Sequence, residues 1–446
     1  MNRKSCVFRI IFFLFTTIAG AAYPLSDSAG ADIKELRSNC GVNFWFMRDG
    51  SAPLVHVRIV FKKAGASCLE KTKAGLPVFY SEAVFCGCGK YSQIQFEKEC
   101  ANLSAKISCN ADFDNFYFSL TVPKIVLKEA IVLMNSLLSS PNFEEDKVKI
   151  VRNNLKNSFM RCDLNPIGAA VDSIIPAAIF KNHPYESGLK GSSEDFPKLS
   201  TEDLKNYKSE FLVTANAEAC VFGDISESEA VSLIDKIFSD VKNGKPSANN
   251  IADVTPNLNS EIKKYYAPGP QSIIIFVLKN ERPQSAKRGA AEIIYKILGE
   301  GTVFKGRILS KLRMGKGLIY SGSVCLTDRN HSSCVLGYMR TDNSKVPEAV
   351  SSLKEIIKNL REKGISESEL QFAKDNIKGK ISVRLRTSEK LCDFYFEKKL
   401  QGFGPKVLSD IFERINRVTP EEVNSFAGEF LNENEMFFVI TGGENK

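Results

Sequence analysis

The sequence predicts a mixed α/β (α+β) protein made of two halves related by duplication. The chain has 446 residues, 43% of them hydrophobic and 25% charged, which at roughly 150 residues per domain suffices for two or three domains with substantial cores. Apolar runs of strand length are interleaved with apolar residues at helical spacing. In the first half, Glu129-Ala130 opens a long apolar helix and Arg152-Asn-Asn-Leu-Lys156 follows it. The same order returns about 220 residues later as Glu348-Ala349 and Lys374-Asp-Asn-Ile-Lys378.

Residues 42–48 and 54–61 are β-rich runs joined by Asp49-Gly50-Ser51-Ala52-Pro53, the composition of a hairpin or tight loop. His56 lies within the second run, where a lone histidine reads as structural rather than as a ligand. Residues 75–85 form a short apolar helix, 93–103 an amphipathic one, and 107–122 two strands around Asp112-Phe113-Asp114-Asn115. A helix over 124–139 is stopped by Pro141-Asn142. The next, 144–159, begins with three acids in its first turn, where they complement the helix dipole. Residues 240–262, rich in Asn, Ser, Pro and Gly, separate a first domain (23–239) from a second (263–446).

The net charge of +8 comes from Lys and Arg scattered singly, without the basic stripe or stacking motif that nucleic-acid binding requires. Residues 1–22 read as a secretory signal peptide: Arg3, Lys4 and Arg9, an apolar run over 10–18, then Ala19-Gly20-Ala21 as a small-residue cleavage site. That run is shorter than the ~20 residues of a spanning helix, and no other stretch approaches that length. The expected product is an exported protein, periplasmic or secreted, with no membrane span after cleavage. Of twelve cysteines, Cys6 lies in the signal and the others form no C-x-x-C pair. Cys86 and Cys88 are too close for a standard metal pair and read as structural.

A family resemblance rests on the order of several short motifs. These are Ala64-Gly65-Ala66, Lys73-Ala-Gly-Leu76, Pro141-Asn-Phe-Glu-Glu145, His183-Pro-Tyr185, Leu199-Ser-Thr-Glu-Asp203-Leu204, Gly223-Asp224, Leu298-Gly299-Glu-Gly301, and Leu312-Arg313 with Gly317-Leu318-Ile-Tyr320. Over nearly the whole mature length the chain resembles the insulinase and mitochondrial-processing-peptidase family of zinc peptidases. The resemblance implies two homologous domains, each a mainly antiparallel sheet backed by helices, enclosing a peptide chamber. It also implies an inverted zinc motif, H-x-x-E-H, on a helix just after Gly-Leu, with a glutamate roughly 75 residues further on as the third protein ligand.

Laid on this sequence, that pattern places Val78 and Glu82 at the two histidines, Ser81 at the catalytic glutamate and Ser158 near the third ligand. None matches. Val78 has no donor atom, and Glu82 alone would hold zinc far too weakly, so the chain is expected to bind no metal and perform no zinc hydrolysis by itself. The helix otherwise keeps the family's packing, with Val78, Phe79 and Val84 as expected core contacts. The family's second domain contributes an arginine and, seven residues later, a tyrosine that grip the substrate backbone. Arg313 and Tyr320 stand at that spacing and are expected to bind substrate. His183, before proline, reads as a turn and packing residue.

The expectation is a catalytically silent subunit of an exported peptidase. Its partner is a homologous chain carrying H-x-x-E-H and the zinc, or a second copy of itself, and its substrates are peptides. A non-enzymatic peptide-binding or scaffold protein of the same fold is the alternative. A third reading, an active metalloendopeptidase with displaced ligands, requires donors elsewhere in the fold.

Overall fold

A computed structural model describes residues 32–160, 166–259, 261–300 and 306–443; the expected signal peptide, 1–22, and Gly301 lie outside them. The strands in chain order are β1 (Lys34–Arg37), β2 (Asn43–Arg48), β3 (Leu54–Lys62), β4 (Gly87–Cys88), β5 (Tyr91–Ser92), β6 (Lys106–Ala111), β7 (Asn115–Pro123) and β8 (Ala217–Gly223). After these come β9 (Ile262–Tyr265), β10 (Gln271–Lys279), β11 (Ser321–Arg329), β12 (Ser332–Asp342) and β13 (Phe437–Thr441). Two main sheets result, ordered β1-β2-β8-β3-β7-β6 and β11-β12-β10-β13-β9. Read from the opposite end, the second runs β9-β13-β10-β12-β11 and repeats the order β2-β8-β3-β7-β6. The single parallel pair also recurs in the same place, β2 with β8 and β9 with β13.

Of the hairpin or tight loop expected over 49–53, the tight loop forms. β2 and β3 both pair with β8, which inserts between them from far downstream at Ala217–Gly223, so 49–53 is a tight loop that crosses a strand. Neighbouring apolar runs in the sequence cannot reveal such an insertion. Between the helix Glu227–Ile237 and β9, the described residues form neither helix nor strand. This segment is nevertheless tied down: Asn249 Nδ2–H donates to Cys68 O at 2.6 Å, Asn257 N–H to Ile179 O at 2.9 Å, and Leu258 is buried.

Each sheet is apolar on both faces, because successive residues alternate between two different cores. In the first sheet Phe44, Phe46, Val55, Val57 and Ile59 face helices of their own half, among them Leu76–Ala83 and Leu127–Ser139. The intervening Trp45, Met47, Val60, Cys220 and Phe222 belong instead to the core of the second half. They are covered by the helix Ser388–Leu400, whose Tyr395 packs edge-on against Trp45 and beside Phe222. The second sheet repeats the arrangement: Ile274, Phe276 and Phe438 face their own helices, while Ile273, Ile275, Val277 and Val439 are covered by Ile175, Ala178, Ile179 and Phe180 of the first half. The two halves therefore exchange helical segments.

Polar contacts lock the exchange. On β3, Arg58 Nε pairs with Asp393 Oδ1 at 2.7 Å and its Nη2 with Glu389 Oε1 at 3.4 Å, both acids lying on the exchanged helix. Asp114 Oδ1 accepts from Tyr185 O–H at 2.7 Å and its Oδ2 from Asn330 N–H at 2.9 Å, and the Tyr185 oxygen accepts from His331 N–H at 3.1 Å. Between the halves there remains a cleft of about 470 Å³, lined by residues that include Asp112, Tyr117, Arg282, Arg329 and Gln401.

Replacing Tyr395 by Ala should cost about 3–5 kcal/mol and shift one common unfolding transition for both halves, because it empties a site shared by both cores. Urea denaturation followed by Trp45 fluorescence and by far-UV circular dichroism checks this: the two probes should move together. His56 supplies a pH test. It is 2% exposed on the exchanged face, and burial, then Arg58, hold its imidazole below the ordinary histidine range. The unfolded chain therefore takes up a proton before the folded one, and stability falls as pH drops below about 6.5. Asp112 acts oppositely, since burial and Asp114 push its carboxyl up to about 6. The readout is thus the difference between wild type and His56→Gln, in which only the wild type should carry the extra loss on acidification.

Candidate functional site

The helix Leu76–Ala83 begins where the chain is held against its neighbours by two glycines. A Cβ on Gly65 would overlap the backbone of Asp114, and one on Gly75 would overlap the carbonyl of Lys190. Leu76, Phe79, Tyr80 and Ala83 form its buried face. Tyr80 sits among Phe116, Phe143 and Tyr207, with ring centroids 5.3–5.4 Å away, and Tyr207 O–H donates to Ala64 O at 2.5 Å. Phe79 and Val84 are core residues as expected. Val78 is not: it is half-buried and lies outside the core cluster. The reason is the helical period, which puts Val78 one turn from Glu82 on the outward face, where Glu82 is exposed.

That outward face is where the zinc motif would act, and its residues do not suit the ion. Val78 offers no donor. Ser81 is buried and donates its hydroxyl to Val78 O at 2.8 Å, within its own helix. Beside it, Cys109 on β6 donates its thiol to Ser81 O at 3.0 Å, and burial, then Glu82, push that thiol well up, away from the thiolate that zinc requires. Ser158 falls in the helix Glu145–Met160, which packs on Leu76–Ala83; its side chain lies outside the described residues. Among the described residues no three His, Cys, Asp or Glu side chains are grouped to hold a metal.

The histidines are occupied structurally. His56 Nδ1 lies 3.1 Å from Thr121 Oγ1 inside the first sheet. His183 Nδ1 accepts from Tyr185 N–H at 3.2 Å, which leaves Nε2 as the donor to Ala252 O at 2.9 Å. The ring so caps the short turn Pro184–Ser187 and presents Tyr185 to Asp114. His331 Nδ1 lies 3.3 Å from Asp253 Oδ1. The ten described cysteines form no disulfide. Cys86 and Cys88 are buried, and burial, then Cys100, push the Cys88 thiol up to about 12.

Arg313 and Tyr320 are both exposed and both belong to the second half. Arg313 lies in a π-helical turn, Leu309–Gly315. The chain reverses at Gly317, with φ of 59°, and Leu318 N–H donates back to Leu312 O at 2.7 Å. Tyr320 immediately precedes β11, and its backbone N–H donates to Arg340 O at 2.8 Å. The phenol is not idle: its O–H donates to Asp342 Oδ1 at 2.6 Å, and Lys345 pairs with Asp342 Oδ2 at 3.1 Å. That hydrogen bond raises the Tyr320 phenol and lowers the Asp342 carboxyl. Linear spacing gave no sign of Asp342, which reaches Tyr320 only through the pairing of β11 with β12. With its proton committed, the phenol offers an incoming chain an acceptor, and donates only if Asp342 lets go.

Because positions 78 and 82 share an accessible helix face, the double variant Val78→His, Glu82→His should gain micromolar zinc affinity while the wild type retains no stoichiometric zinc. Competition against a zinc indicator checks this, and no gain would show that the face is not available to a metal.

The comparisons with known proteins agree with this geometry. A family model described as insulinase (peptidase family M16) matches residues 48–193, and one described as the peptidase M16 inactive domain matches 198–377. A non-peptidase homolog, YmxG, of Helicobacter pylori is 21% identical over 398 residues, covering 88% of this chain and 90% of its own. An uncharacterized zinc protease of Mycobacterium leprae is 21% identical over 309 residues, covering 69% and 68%. Among solved structures, a peptidase M16 inactive domain from Pseudomonas fluorescens superposes with a TM-score of 0.84 at 19% identity, covering 93% of this chain and 98% of its own. A protease from Helicobacter pylori gives 0.81 at 16% identity, covering 92% and 99%. With family models spanning both halves, the chain belongs to the insulinase family, peptidase family M16, and its motif helix carries neither histidine of the H-x-x-E-H pattern.

Proposed function

We propose that this chain is the non-catalytic subunit of an exported peptidase assembly, in which a homologous chain bearing H-x-x-E-H carries the zinc and this one contributes Arg313 and Tyr320 to the peptide site. The carrying observation is an asymmetry. The motif helix keeps its packing but has Val78, Ser81 and Glu82 at its metal positions, whereas Arg313 and Tyr320 remain at the surface at the spacing of a substrate grip. Export is supported by the signal-like residues 1–22. A partner is supported by the chain itself: among the described residues no three metal-ligating side chains are grouped, so a zinc opposite the exposed Arg313 and Tyr320 requires a second chain.

The Tyr320–Asp342 hydrogen bond favours a second reading, a scaffold that binds or supports without assisting chemistry. One experiment separates the two. With the zinc-bearing partner co-expressed, Arg313→Ala should lower kcat/KM for peptide cleavage roughly 30- to 1000-fold, the loss expected of one charge-assisted hydrogen bond in the transition state. Cleavage unchanged by Arg313→Ala, in a complex that still assembles, would favour the scaffold.

A further inference from the structure

The two sheets repeat one strand order, and they differ at one edge. In the first sheet β2 is covered by β1 in antiparallel register, Lys34 opposite Phe46 through Arg37 opposite Asn43, and Trp45 Nε1–H donates to Glu35 Oε1 at 2.9 Å. The counterpart of β2 in the second sheet is β9, and among the described residues no strand pairs with its outer edge. Phe438 N–H donates to Glu261 O and Gly442 N–H to Tyr265 O, so the backbone of 261 and 265 turns inward toward β13. The two-residue period of a strand then turns the backbone of Ile262 and Lys264 outward.

Natural edge strands are usually blunted by charge or by proline. β9 is blunted only in part. Ile262 is 44% exposed and Tyr266, which follows the strand, is 52% exposed, a concentration of apolar surface that a purely protected edge would not carry. Between them stand Lys263 and Lys264, consecutive and therefore directed to opposite faces. Lys354 adds positive charge nearby, with its Nζ 5.8 Å from the ring of Phe438, the residue paired with Ile262. The facing acid, Glu261, pairs with Lys263 at 3.7 Å. A second copy of β9 laid antiparallel would set lysines against lysines, which disfavours self-pairing.

We infer that the outer edge of β9 receives an extended acidic segment of a partner protein as the sixth strand of the second sheet, occupying the place that β1 fills in the first. Main-chain hydrogen bonds to Ile262 and Lys264 supply affinity, and two adjacent acidic residues facing Lys263 and Lys264 supply selectivity. This inference is independent of the peptide site at Arg313 and Tyr320.

The probe is a fluorescein-labelled peptide of alternating Val and Thr with Glu-Glu at its centre, compared with a Lys-Lys version, on the full mature chain. The Glu-Glu peptide should bind, and amide exchange at Ile262 and Lys264 should slow. The Lys263→Glu, Lys264→Glu double variant should weaken it about tenfold and bind the Lys-Lys peptide in its place, which also shows that the variant is folded. Three results would overturn the inference: equal binding of both peptides, binding with no protection at residues 262 and 264, or concentration-dependent self-association of the wild type that the double variant abolishes.

Discussion

The fold depends on the exchange of helical segments between its two sheets. A sheet that is apolar on both faces must be covered on both, and neither half supplies two layers of its own. The helix Ser388–Leu400 closes the first sheet and the segment around Ile175–Ile179 closes the second. Arg58, held between Asp393 and Glu389, fixes one exchange, and the Asp114–Tyr185–His331 contacts fix the other. Neither half is a complete hydrophobic unit alone, so the two stand or fall together.

Such a scaffold tolerates the loss of one function without loss of structure. The motif helix is held by Leu76, Phe79, Tyr80 and Ala83, all on its buried face, and the positions that would meet a metal lie on the other face. Valine, serine and an unsupported glutamate at positions 78, 81 and 82 leave the aromatic cluster around Tyr80 intact. The physical separation of the packing face from the chemical face allows the fold to persist without the H-x-x-E-H residues. It also shifts attention to the second half, where a π-helical turn and a strand start hold Arg313 and Tyr320 at the surface.

Much of this was legible in the sequence, for reasons that differ by element. Apolar runs of strand length identified β2, β3, β6 and β7, and helical spacing the helices that follow, because such runs report burial directly. The internal repeat was visible because duplicated helices keep their charged and apolar landmarks. Strand order was not: β8 enters between β2 and β3 from far along the chain, and its apolar run does not say which strands flank it. The exchanged helices were also hidden, since an apolar face on Ser388–Leu400 does not say which sheet it covers. Val78 was misplaced because an apolar side chain in a short buried helix looks like core until the register of the helix is known. Asp342, the partner of Tyr320, lies 22 residues away and is brought close only by strand pairing.

The central claim, a silent member of a zinc-peptidase family that acts through a zinc-bearing partner, is tested most directly by metal analysis of the native complex. This chain should be recovered from its native compartment with whatever binds it, and zinc measured in the complex and in the separated chain. The account predicts zinc in the complex and none at stoichiometric level in this chain alone. Stoichiometric zinc in the isolated chain, with chelator-sensitive peptide cleavage, would contradict it.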